Sequence, residues 1–149
     1  MRAVIQRVRR ASVTVDGQIV GQIGPGLCVL VGVTHADGPA QIDKTARKIA
    51  QLKLLRGPDG DDDPAARVSA EECGAPILLV SQFTLYADVR KGRKPSWSHA
   101  AGGEAAEPIF DAVVDAVRGY GLRVETGVFG AMMDVELVND GPFTILVEV

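Results

Sequence analysis

The sequence is poor in the groups that most enzymes use for chemistry. Two histidines, two cysteines, one tryptophan and 5% aromatic residues are spread over 149 positions. Cys28 and Cys73 are too few for a disulfide framework and point to a reducing compartment. His35 and His99 stand in no metal-ligand spacing with cysteines or acids, so no metal is expected. No apolar run of about 18 residues is present to span a membrane. The opening MRAVIQRVRR has no signal-peptide core, and the chain is expected in the cytoplasm. A phosphate loop, a dinucleotide fingerprint and a G-x-S-x-G elbow are missing too, so no cofactor is expected. The formal net charge is −3, from 16 basic and 19 acidic residues. That sum argues against a broad nucleic-acid-coating surface.

What remains is an ordinary globular composition, 46% hydrophobic and 23% charged. The length suits one domain, residues 1–149, with a core that needs no staples. Residues 2–15 read as a strand, and Asp16-Gly17 supplies the positive φ angles of a tight turn into a second strand, 18–23. Leu27 to Val33 is apolar on both faces and reads as a central, doubly covered strand. From Pro39 to Leu55 the period becomes helical, with Ile42, Ala46, Ile49 and Leu52 on one side. Residues 57–64 hold four aspartates and no apolar anchor. They read as a solvated loop, since a calcium loop needs alternating ligands and a closing glutamate.

Pro76 to Leu85 reads as another buried strand that turns polar at its end. A basic, turn-rich loop covers 90–98, and a second helix runs from Gly103 or Pro108 to Tyr120. Three strand-like segments close the chain: 122–125, 133–137 and 143–149. The last two are separated by a turn at Asn139-Asp140-Gly141-Pro142. The expectation is a mixed α/β domain of about seven strands and two helices.

Core packing absorbs most candidate residues. His35 reads as a loop histidine and Cys28 as a small core residue. Two segments are left over. One is Ser81-Gln82-Phe83-Thr84-Leu85, where a buried strand turns abruptly polar; polar strand ends serve as sites or as plain turns. The other is Asn139-Asp140-Gly141-Pro142-Phe143-Thr144, which is a turn on its own terms and whose Gly-Pro bond is open to a cis form.

SQFTL at 81–85 and NDGPFT at 139–144, in this order and at these ends of the chain, resemble the D-aminoacyl-tRNA deacylases. AVIQRVRRASVTVDG at 3–17, GRKPSW at 92–97 and TGVFGAMMDVELVNDGP at 126–142 support the likeness, which runs from Met1 to Val149. The resemblance implies a strongly curved sheet or half-barrel, a homodimer, and hydrolysis of the ester of D-aminoacyl-tRNA at its 3′ CCA end. Membranes and DNA are not expected partners. It implies a pocket around the scissile ester built from Ser81, Gln82, Phe83 and Thr84. Gly141-Pro142 is implied to be cis and to enter the partner's site, rejecting L-amino acids by backbone exclusion while glycine passes. Arg7, Asn139 and Thr144 are implied to support that turn, with Met132 and Met133 lining an adenosine pocket. No histidine, lysine or carboxylate stands near Thr84 in the sequence to activate it, which favours help from the substrate's own 2′-OH. Lys94, Trp97 and Phe143 stand where the family more often has arginine, phenylalanine and valine.

Two other readings stand beside this one: a non-catalytic RNA-binding module and a hydrolase of free D-peptides. The charge distribution bears on them. Arg2, Arg7, Arg9 and Arg10 precede the first acid, and Arg90, Lys91, Arg93 and Lys94 crowd one loop. Because screening acts over about 8–10 Å, a local patch such as Arg93 and Lys94 can grip a tRNA end on an acidic protein.

Overall fold

The computed structural model describes residues 1–149. The strands are β1 (Arg2–Val15), β2 (Gln18–Ile23), β3 (Gly26–Gly32), β4 (Ile77–Ser81), β5 (Val124–Thr126) and β6 (Asp134–Glu148). The helices are α1 (Pro39–Gln51), α2 (Ala70–Cys73) and α3 (Gly103–Arg118). β1 organises the sheet. It carries β6 along nearly its whole length, β3 opposite residues 2–8 and β2 opposite residues 11–15, all antiparallel. β4 and β5 continue from β3 in parallel. The sheet curls until β2 lies against β4 and β5, so it is nearly closed into a barrel.

Alternation along the central strands builds two cores. Leu27, Val29, Val31, Ile77 and Leu79 face α1 and α3, where Ala46, Ile49, Phe110 and Val113 meet them. Cys28, Leu78 and Val80 point into the hollow of the curl, against Val8, Ala11, Val13 and Ile23. β3 and β4 are therefore covered on both faces, as their unbroken apolar sequence requires.

The structure corrects the sequence reading in four places. Residues 134–148 form one strand rather than two joined by a turn, so there are six strands, not about seven. The reason is the length of β1, which pairs with both halves of β6 and leaves the Gly-Pro segment as a bulge. Gln6 opposes Thr144 and Val8 opposes Asn139, so β6 advances five residues while β1 advances two. A third, short helix, α2, follows a capping box in which Ser69 and Glu72 satisfy each other's backbone N–H groups. The strand expected over 76–85 stops at Ser81, and Phe83–Tyr86 form a 3-10 turn. α1 ends at Gln51, before Leu55, and α3 starts at Gly103 with Pro108 inside it. No helix is long and apolar enough to cross a membrane.

Cys28 is 1% exposed, and burial pushes its thiol up to about 11. Cys73 is exposed. Since the thiolate is the reactive form, a thiol reagent at pH 8 should modify one cysteine per native chain and two after denaturation. Two fast thiols in the native protein would contradict this packing.

Candidate active site

The polar end of β4 forms the first part of the site. The Gln82 backbone N–H donates to Val31 carbonyl oxygen at 2.7 Å, which ends the strand and starts the 3-10 turn. That turn packs directly on β3 because Gly32 has no side chain: a Cβ there would come within 3.0 Å of Gln82 O and 3.1 Å of Leu85 Cβ. Arg2 holds the far side, donating from Nη1 to Leu85 O at 2.9 Å and lying 4.8 Å from the Tyr86 ring centre. As the first residues of a 3-10 turn, Phe83 and Thr84 present N–H groups with no partner inside the turn.

Beside this strand end lies a largely apolar cavity of about 610 Å³. That volume falls within the range of small-molecule sites. Ser81, Gln82 and Phe83 form one wall, Met132 and Met133 another, and Phe110 and Phe129 are among the apolar lining. The two methionines differ: Met132 is 92% exposed at the rim, whereas Met133 also packs on the core inside the curl. Trp97 lines the cavity and meets Phe83 edge to face, with ring centres 5.9 Å apart. Arg93 and Lys94 are exposed on the loop that Asp88 and Ser96 close by a backbone bridge, immediately before Trp97.

Thr84, expected in the pocket, does not line the cavity. Its Oγ1 accepts from the Gln82 side-chain amide. An amide donor takes no proton from a hydroxyl, and no His, Lys or carboxylate hydrogen-bonds to Thr84. His35 occupies a turn and its Nε2 lies 3.2 Å from Ser98 O, so neither its position nor its partner serves this wall.

The second group of residues is gathered at the bulge of β6. The Gly141-Pro142 peptide is cis, and both residues are exposed. Beneath them Arg7 is 2% exposed, and all five of its N–H donors are used. Nε donates to Asp140 O at 3.0 Å and Nη2 to Gly141 O at 2.9 Å. Nη1 reaches Leu54 O at 3.0 Å, and the Asp62 carboxylate takes the remaining two, at 2.8 and 2.9 Å. With its oxygen set toward the bulge, the Asn139 amide accepts from the backbone N–H groups of Asp140 and Gly141, both at 3.2 Å. Its nitrogen then faces Thr144 Oγ1 at 3.0 Å.

Asp62 is the residue that sequence reasoning missed. It belongs to the acidic segment expected to be merely solvated, yet it is paired with Arg7, Arg56 and Arg67. Its surplus of charge partners could be found only in three dimensions, because Arg7 is 55 residues away along the chain. The Arg7 hydrogen bonds hold its carboxyl well below the usual range. A bidentate Arg56 does the same, less strongly, for Asp140.

The two groups do not meet within one chain. Arg7 is level with Leu27 of β3, and Ser81 is level with Val31. Four residues of strand, roughly 13 Å, separate those levels. Gln82, Phe83, Met132 and Met133 surround the cavity, while Arg7, Asn139, Gly141, Pro142 and Thr144 lie together at the other end.

This curled sheet is shared with solved structures. One, described as a c-Myc DNA unwinding element binding protein, superposes with a TM-score of 0.90 at 39% identity, over 100% of this chain and 99% of that one. Another, from a structural analysis of a probable eukaryotic D-amino acid tRNA deacylase, has the same fold at 19% identity, with a TM-score of 0.85 over 99% and 98% of the two chains. The chain belongs to the D-Tyr-tRNA(Tyr) deacylase family, whose model matches residues 4–148. Among its relatives, the D-aminoacyl-tRNA deacylase of Kineococcus radiotolerans is 62% identical over 99% of both chains. That of Thermobifida fusca is 58% identical over the full length of both.

Arg7→Ala takes from Asp62 one of its three arginine partners and from three carbonyl oxygens their guanidinium donor, which should destabilise the fold by roughly 3 kcal/mol in urea denaturation. Asp62 and Asp140 have folded-state values below their unfolded one, about 3.9. Their pairing therefore adds stability that is complete above about pH 4 and is lost as the pH falls through the depressed values. In Arg7→Ala that acid-side loss should shrink; an unchanged pH dependence would separate Arg7 from the carboxylates.

Proposed function

We propose that this protein hydrolyses the ester of D-aminoacyl-tRNA, releasing the D-amino acid and free tRNA, and that it removes mischarged glycine by the same route. The observation that carries this reading is the pairing of an apolar cavity with a polar strand end that has no acid–base residue. Such a site positions and stabilises but transfers no proton of its own. Kinship with relatives described as D-aminoacyl-tRNA deacylases supplies the substrate class.

In this reading the terminal adenosine occupies the cavity between Phe83 and the Met132-Met133 segment just before β6. The ester carbonyl then lies against the 3-10 turn, where unpaired N–H groups near Phe83 stabilise the developing oxyanion. That role needs donors about 2.7–3.1 Å from the oxyanion's position. Water adds to the carbonyl carbon with the ribose 2′-OH assisting its deprotonation. The bond to the 3′-oxygen breaks, and the proton returns to that oxygen. Ser81 and Gln82 shape the pocket, Thr84 holds the Gln82 side-chain amide, and Arg93 and Lys94 hold phosphates of the CCA end.

Selection against L-amino acids is assigned to Gly141-Pro142 of a second copy. Two observations favour action across subunits. The bulge is roughly 13 Å from the level of Ser81 along the strands, and none of its residues lines its own chain's cavity. Further, a Cβ on Gly141 would meet nothing within 4 Å, and its φ is not in the left-handed region. The chain's own fold does not need glycine there, so the space beside Gly141 is open to a partner's substrate. A backbone filter touches only the α-carbon substituents, which lets one site serve many D-amino acids and lets glycine through. We infer a homodimer acting in the cytoplasm.

A second reading, binding of RNA without hydrolysis, draws on the exposed basic loop alone. One assay decides between them. The protein should release D-Tyr from D-Tyr-tRNA and spare L-Tyr-tRNA; Thr84→Ala should keep at least a tenth of that rate. A tRNA ending in 2′-deoxyadenosine should lose at least a hundredfold. Loss of activity in Thr84→Ala with the deoxy substrate still cleaved would make Thr84 the nucleophile.

A further inference from the structure

The Gly141-Pro142 bulge has little to hold it from outside. Both residues are exposed, and the register shift leaves the segment between Asn139 and Thr144 without β1 partners. Asn139 holds its backbone N–H groups and Arg56 the Asp140 carboxylate, while its carbonyls are held by Arg7, whose Nη2 gives one N–H to Gly141 O and the other to Asp62 Oδ2. A planar, rigid fork transmits orientation: whatever fixes one edge fixes the other. Asp62 fixes the inner edge with two near-parallel bonds, at 2.8 and 2.9 Å.

The residue after the bulge is tied to the same carboxylate. The guanidinium carbons of Arg7 and Arg67 each lie 4.7 Å from the centre of the Phe143 ring. Two cations on one ring repel unless a counter-charge joins them, and Asp62 Oδ1 accepts from both, at 2.8 Å from Arg7 and 3.1 Å from Arg67. Phe143 therefore packs on two cations bridged by one carboxylate, and the chain leaving Pro142 is anchored by the side chain that also orients Arg7.

We propose that Asp62 is a positioning residue for substrate selection: through Arg7 it sets the Gly141 carbonyl, and with Arg67 it clamps Phe143, so the aspartate-rich segment governs the ratio of D to L hydrolysis. This rests on reading Gly141-Pro142 as the selecting element.

The test compares the wild type, Asp62→Asn and Asp59→Asn. Asp59 lies in the same segment, exposed and at φ 60°, a conformation asparagine accepts, so it matches the charge change without touching Arg7. kcat/KM is measured on D-Tyr-tRNA and L-Tyr-tRNA, and the solvent exchange of the Arg7 Nε–H is followed by NMR. Asp62→Asn should lower the D-to-L ratio at least tenfold and speed the Nε–H exchange at least tenfold, with Asp59→Asn unchanged in both. An Asp62→Asn protein that is less stable but keeps the wild-type ratio overturns the proposal. If Asp62→Asn does not fold, Arg67→Gln decides: a threefold or greater fall in the ratio supports the clamp, and an unchanged ratio overturns it. A wild type inert toward D-Tyr-tRNA would instead sink the functional reading, and the Nε–H exchange would then judge the positioning alone.

Discussion

One buried guanidinium organises the functional half of this protein. Arg7 lies on the long first strand with every donor committed, two of them to the carbonyls that flank a bulge and two to a carboxylate from a distant loop. Burying a charge is unfavourable unless partners surround it. Here the partners are the parts that must be held in register: the end of the α1 connection at Leu54, the acidic segment at Asp62, and β6 at Asp140 and Gly141. Arginine rather than lysine suits the role because a planar fork fixes direction as well as distance.

The sheet explains why two motifs of one function lie apart. β1 is long enough to pair with all of β6, so the surplus residues at 140–143 have nowhere to go but outward. The polar end of β4 is fixed four strand positions away by its parallel register with β3. A curled sheet of this kind leaves the bulge exposed at one level and the cavity open at another. In the proposed function, chirality is read by main-chain atoms of one subunit against substrate held by the other, with no side chain involved in the comparison.

Much of this was legible in the sequence because the signals were local. The unbroken apolar run 27–33, the Asp16-Gly17 turn and the helical period after Pro39 each decide a structure within a few residues. The two motifs were legible for the same reason. What escaped was long-range. The turn chemistry of Asn139-Asp140-Gly141-Pro142 resembles that of a link between two strands, and only the length of β1 decides that it is a bulge in one. The Ser69-Glu72 capping box was visible but frames a helix of four residues, too short for periodicity to reveal. Asp62 looked like one acid among four in a loop without apolar anchors, and its importance comes from three arginines brought to it by folding.

The central claim is that each working site takes its pocket from one chain and its filter from another. Mixing two disabled proteins tests it directly. Phe83→Glu sets a negative charge beside the 3-10 turn, and Gly141→Ala adds to the filter a Cβ that meets none of the chain's own atoms within 4 Å. Each alone should be inactive on D-Tyr-tRNA. Unfolded together in equal amounts and refolded, random pairing makes half the dimers mixed with one intact site apiece, so about a quarter of wild-type activity should return. No recovery, with mixed dimers shown to be present, would mean that pocket and filter belong to the same chain.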